Sequence, residues 1–95
     1  MKMYREVSYF YHRDGNYDVT FAYKRAEDHV VFGAAFCNPK DQFSKSMGRM
    51  VAEGRLNVGP RVNVSINSDT TRFQVHDLLV DALHEYPASP SLIRE

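Results

Sequence analysis

Five basic residues, Lys40, Lys45, Arg49, Arg55 and Arg61, crowd into one stretch whose only acidic neighbours are Asp41 and Glu53. Ammonium and guanidinium groups at that density on a helix are suited to holding phosphate or carboxylate, and Ser44 and Ser46 add donors. The same stretch also reads as a solvated helix face with Arg49 and Glu53 paired one turn apart. Further along the chain the sign reverses. Asp77, Asp81 and Glu85 recur every four residues, an acidic stripe that would meet a basic partner surface, imitate phosphates, or simply face water.

Other groups raise sharper chemistry. His76, Asp81 and His84 share one helical side, so a carboxylate–histidine metal site completed by another chain is geometrically conceivable, although three ligands on one helix also read as surface residues. Cys37 directly precedes an expected helix N-terminus, where a thiolate would be stabilised, yet no histidine adjoins it and a structural thiol fits as well. His12 and His29 stand at hairpin ends. Glu6, Glu53 and Asp69 are the carboxylates nearest to a ribonuclease H-like metal arrangement, but the acidic residue expected in the middle of strand one is missing. There is no phosphate loop, dinucleotide-binding glycine pattern or nucleophile elbow, so the sequence predicts no enzyme and no cofactor.

The elements that would position these groups follow from periodicity. Residues 3–11 and 17–24 alternate at period two and flank Asp14-Gly15, a hairpin signal because glycine adopts positive φ without steric cost. Tyr17, Val19, Phe21 and Tyr23 fall on one face of the second strand, with a polar face opposite. Residues 30–37 are apolar throughout, which predicts a strand covered on both faces or one whose second face meets a partner, and Gly33 with Ala34 and Ala35 leaves room for close approach. Asn38-Pro39-Lys40-Asp41 has the form of a helix start, and Phe43, Met47, Met50, Val51 and Gly54 continue at helical spacing to about residue 56. Gly48 and Ala52 make a notch of small residues. A short strand at 61–66 and an amphipathic helix at about 71–86 complete the order, and Pro87 and Pro90 end it.

The expected fold class is therefore α+β, in the order β-β-β-α-β-α. The expected sheet is mixed and mainly antiparallel, its fourth strand parallel to strand one or three and both helices on one face. Residues 1–86 form the single domain and 87–95 a loose tail. The uncovered sheet face would then display Tyr9, Tyr11 and Tyr23 as stacking platforms.

The 95 residues carry 12 Lys and Arg against 12 Asp and Glu, which excludes binding by bulk charge and leaves only its distribution. One cysteine excludes an internal disulfide, and no apolar run reaches membrane-spanning length, so a cytoplasmic protein with no membrane partner is expected. A basic and an acidic helix on one small chain also allow self-association as a homodimer.

The segment Phe32-Gly33-Ala34-Ala35-Phe36-Cys37-Asn38-Pro39-Lys40-Asp41-Gln42-Phe43, continued by Gly48-Arg49, Ala52 and Gly54-Arg55-Leu56, resembles a pattern in small proteins of tailed bacteriophages. There an apolar strand ends in Cys-x-Pro-Lys-Asp-x-Phe, followed by a helix with Gly-Arg and Gly-Arg-Leu. The resemblance covers about a quarter of the chain and implies a phage setting without assigning an activity. Its expectation is a non-enzymatic protein that binds and inhibits a bacterial host or defence protein, in the manner of anti-CRISPR or anti-restriction inhibitors. Two other readings stand beside it: a nucleic-acid- or nucleotide-binding module using the basic helix, and a metal-dependent hydrolase.

Overall fold

The computed structural model describes residues 6–14, 17–37 and 45–86. The order is β1 (Ser8–Asp14), β2 (Tyr17–Arg25), β3 (His29–Cys37), α1 (Lys45–Val58), β4 (Val62–Ser65) and α2 (Arg72–Ala82), closed by a 3-10 turn at Leu83–Glu85. This is the α+β order that the periodicity predicts. The expected helix start at residues 38–44, the turn at 15–16 and the tail at 87–95 lie outside the described residues.

The strands pair in chain order, β1-β2-β3-β4, and every pairing is antiparallel. The expected parallel fourth strand is corrected, for a geometric reason. Leu56 and Arg55 lie over Gly33 and beside Ala34, so α1, about 21 Å long at 1.5 Å per residue, ends level with the middle of β3. From there β4 starts opposite Phe32 and runs toward His29, away from the stretch of edge at Ala34 that Arg55 and Tyr86 occupy.

The second correction concerns the helices, which cover opposite faces. Val75 and Leu79 of α2 pack on Val19, Phe21, Tyr23, Val30, Phe32 and Ala34. Ala52 and Leu56 of α1 pack on Ala22, Val31 and Ala35, the residues of opposite parity. Strand β2 is therefore buried on both sides rather than wet on one, and β3 is covered on both, as its unbroken apolar run predicts. Gly33 is where α1 comes closest. A Cβ there would stand 2.5 Å from the Leu56 backbone N and 2.6 Å from the Ala52 carbonyl O.

The end of α1 and the start of α2 are each capped. Gly59, at φ +94°, donates its N–H to the Arg55 carbonyl and closes α1, and Arg61 Nη1 donates to the Asn57 carbonyl. Thr71 caps α2 with a reciprocal bond pair: the Gln74 N–H reaches the Thr71 hydroxyl, and the Thr71 N–H reaches the Gln74 side chain.

Thr20 is the exception to polar satisfaction. It is buried on the α1 face, and its Oγ1 has no hydrogen-bond partner among the described residues. Thr20→Val removes the stranded hydroxyl while keeping the branched shape, so stability should rise by about 1 kcal/mol. Urea denaturation reads this as a higher midpoint at unchanged slope.

Candidate interaction surface

The structure accounts for most of the basic residues within the chain itself. Arg55 Nη1 donates to the Ala34 carbonyl at 2.7 Å, occupying a sheet-edge acceptor that β4 is too short to reach. Arg61 caps carbonyls at the end of α1. Arg49 Nη1 donates to the Tyr11 hydroxyl at 2.8 Å, and its guanidinium lies 5.9 Å from the Tyr9 ring centroid. Glu53 accepts from the Tyr9 hydroxyl at 2.6 Å, so the structure pairs Arg49 and Glu53 each with a tyrosine rather than with each other. That bond to Glu53, helped by burial, pushes the Tyr9 phenol above its usual range. Lys40 and the side chain of Lys45 lie outside the described residues.

The three tyrosines do not form one platform. Tyr9 and Tyr11 stand opposite Ala22 and Thr20 on the α1 face, whereas Tyr23 stands opposite Ser8 and is buried on the α2 face. This corrects the expected open stacking surface. Each sheet face carries a helix, and the period-two register separates odd residues of β1 from odd residues of β2.

Tyr23 instead belongs to a cleft on the α2 side that sequence reasoning did not assemble. Val7, Ser8, Tyr9, Tyr23, Arg72, Phe73 and His76 line a cavity of about 420 Å3. The His76 ring stacks on Phe10 at a centroid distance of 3.9 Å, and its Nε2 lies 3.0 Å from the Tyr23 hydroxyl. With His76 neutral and protonated on Nδ1, Tyr23 donates that bond. The available signal was the hairpin register, which sets Ser8 against Tyr23 and Phe10 against Phe21.

Burial, then the nearby Arg72 charge, holds the His76 pKa below its usual 6.5. The folded state thus favours neutral His76, while the unfolded chain takes up its proton near pH 6.5. Its contribution to stability is complete above that pH and declines as pH falls below 6.5 toward the folded value. Lowering the pH from 7.5 to 5 should therefore reduce Tm in the wild type more than in His76→Gln, as thermal unfolding by circular dichroism would read.

His76, Asp81 and His84 are not gathered into a metal set, nor are Glu6, Glu53 and Asp69: among the described residues no group of three or more His, Cys, Asp or Glu side chains is placed to hold an ion. Cys37 is half-buried at the end of β3. Asp77, Asp81 and Glu85 are exposed and have no ion pair or hydrogen bond from their side chains among the described residues. The acidic stripe therefore faces outward as the spacing predicts.

The most unusual surface is the outward side of α1. Ala52 and Leu56 face the sheet, while Met47, Met50, Val51 and Val58 are 57, 66, 36 and 85% exposed. Among its described side chains, the charged ones, Arg49, Glu53 and Arg55, are all bonded back onto the domain. Beside the inward Ala52 and Leu56, this helix thus presents large apolar groups to solvent while its described charged groups turn back toward the chain. Gly54 lies within this outward stripe, and a Cβ there would meet nothing within 4 Å. Among the described residues no packing needs that glycine, which weakens a helix by about 1 kcal/mol relative to alanine.

These features define an α+β domain with a helix on each face of a four-stranded antiparallel sheet and an apolar patch on one helix. Comparison with protein-family models, curated proteins and solved structures finds no match. Among the described residues no helix is long and apolar enough to cross a membrane.

Proposed function

We propose that this protein is a small non-enzymatic binding module that acts by protein–protein contact. The observation that carries the reading is the uncharged, apolar outward face of α1, since contiguous exposed apolar surface on a small domain is characteristic of interaction sites. In the phage setting that the strand–helix segment implies, the target is a bacterial host or defence protein met in the cytoplasm. The exposed Asp77, Asp81 and Glu85 stripe of α2, on the other side of the sheet, supplies a second surface that suits a basic partner. Phosphate binding by the basic helix has less support, because Arg49, Arg55 and Arg61 are engaged by tyrosine hydroxyls and backbone carbonyls.

The test places a photo-crosslinking benzophenone side chain at position 51 and irradiates bacterial cells expressing the protein. A covalent protein adduct is expected. Recovery of the chain without any protein adduct would overturn the reading.

A further inference from the structure

We infer that the outward face of α1 is covered by α1 of a second copy of this chain, in an antiparallel pair about a two-fold axis. The inference rests on the protein-contact reading above and names the occupant of that face. Met47, Val51, Gly54 and Val58 succeed one another at spacings of four, three and four residues, the seam along which one helix packs on another. Their exposure places that seam on the side of α1 opposite Ala52 and Leu56.

The seam is complementary to itself. A two-fold axis crossing α1 between residues 52 and 53 sets Val51 against Gly54 of the second copy and Met47 against Val58 of the second copy. Val51 is then a knob and Gly54 the hole that receives it, twice over, as a two-fold interface requires. This gives a reason for a glycine whose Cβ position is open space within its own chain. Antiparallel pairing also opposes the two helix dipoles favourably.

Charge permits the pairing as well. The chain has a formal net charge of zero, so two copies approach without long-range repulsion. The described charged side chains of α1, Arg49, Glu53 and Arg55, are held against their own domain by Tyr11, Tyr9 and Ala34, so among the described residues no charge needs to be stripped of water at the centre of the seam. The exposed fractions of Met47, Met50, Val51 and Val58 leave a contiguous apolar patch of roughly a few hundred Å2 per copy. Pairing would bury up to about 1,000 Å2 in total, the lower bound of a specific interface, so the fit of the seam rather than its area sets how tightly the copies hold. The acidic faces of α2 then point away from the two-fold axis on both copies, so a dimer would offer a target two equivalent surfaces.

Sedimentation velocity of the purified chain from about 1 to 500 μM, with Val51→Glu and Gly54→Ala alongside, tests the inference. The wild type should shift from monomer to dimer across this range. Val51→Glu should stay monomeric with an unchanged far-ultraviolet spectrum. Gly54→Ala should melt at a higher temperature when dilute, because its Cβ meets nothing, yet dimerise at least tenfold more weakly because the hole is filled. A wild type that stays monomeric throughout, or a Val51→Glu variant that dimerises equally well, would overturn the second copy as occupant. The position-51 crosslink separates the two levels: monomer with an adduct to a different protein overturns only the second copy, and monomer with no protein adduct overturns the contact reading too.

Discussion

Gly33→Ala should lower stability by about 3 kcal/mol or more, a large effect for a single added methyl group. The added Cβ would fall 2.5 Å from the Leu56 N, 2.6 Å from the Ala52 O and 2.9 Å from the Arg55 C. All three are backbone atoms of α1, so no side-chain rotation relieves the overlap. The helix must lift from the sheet, which opens the packing of Ala52 and Leu56 on Ala22, Val31 and Ala35 and draws Arg55 away from the Ala34 carbonyl. Urea denaturation should show a much lower midpoint, whereas Gly54→Ala, on the outward side of α1, should raise it in dilute solution. The opposite signs follow from geometry alone: one glycine is crowded by its own chain and the other is not.

Tyr86→Ala should cost about 4 kcal/mol, and Tyr86→Phe about 2 kcal/mol. Tyr86 is buried, its ring stacked on Phe32 at 5.6 Å and tilted against Phe36. Its hydroxyl accepts from the Ala34 N–H at 3.0 Å and donates to the Pro60 carbonyl at 2.6 Å. Burial raises the phenol pKa, which keeps the donated proton in place. The phenylalanine variant keeps the stacking but strands a backbone donor and an acceptor, and the alanine variant also leaves a cavity. Thermal unfolding of both variants separates the polar part of the loss from the packing part, and equal stability of Tyr86→Phe and wild type would contradict the bonding scheme.

Tyr86 and Arg55 together explain how so short a β4 completes the sheet. Beyond Phe32 the β3 edge has no strand partner, and Ala34 there meets the Tyr86 hydroxyl with its N–H and the Arg55 guanidinium with its carbonyl. Arg55 thus serves the fold, although its charge and its place in a basic run read equally as a phosphate contact.

Local signals were legible where they depend on local geometry. The β1-β2 hairpin and the unbroken β3 follow from φ preference and period, and α1 ends and α2 begins within about two residues of where periodicity puts them, while the Thr71 cap itself was not read from the sequence. Periodicity identifies α1 but does not say which side of it meets the sheet. Met47, Val51 and Val58 make the more apolar stripe, yet Ala52 and Leu56 face inward, because the α1 backbone comes close to the sheet at Gly33 on that side. The direction of β4 was equally hidden, since it depends on where α1 ends relative to β3. The Tyr23–His76 contact joins residues far apart in sequence and needed the β1-β2 register together with the placement of α2.

The central claim, that the outward face of α1 packs on itself across a two-fold axis, is most directly tested by isotope-filtered methyl NMR on a mixture of labelled and unlabelled chains. Met47 and Val58 lie about 16 Å apart along one helix at 1.5 Å per residue, too far for a nuclear Overhauser effect within a copy. An intermolecular cross-peak between the Met47 methyl and a Val58 methyl, strengthening with concentration, is the predicted result. Methyl spectra of Met47, Met50, Val51 and Val58 that do not change with concentration and show no cross-peak between copies would contradict it.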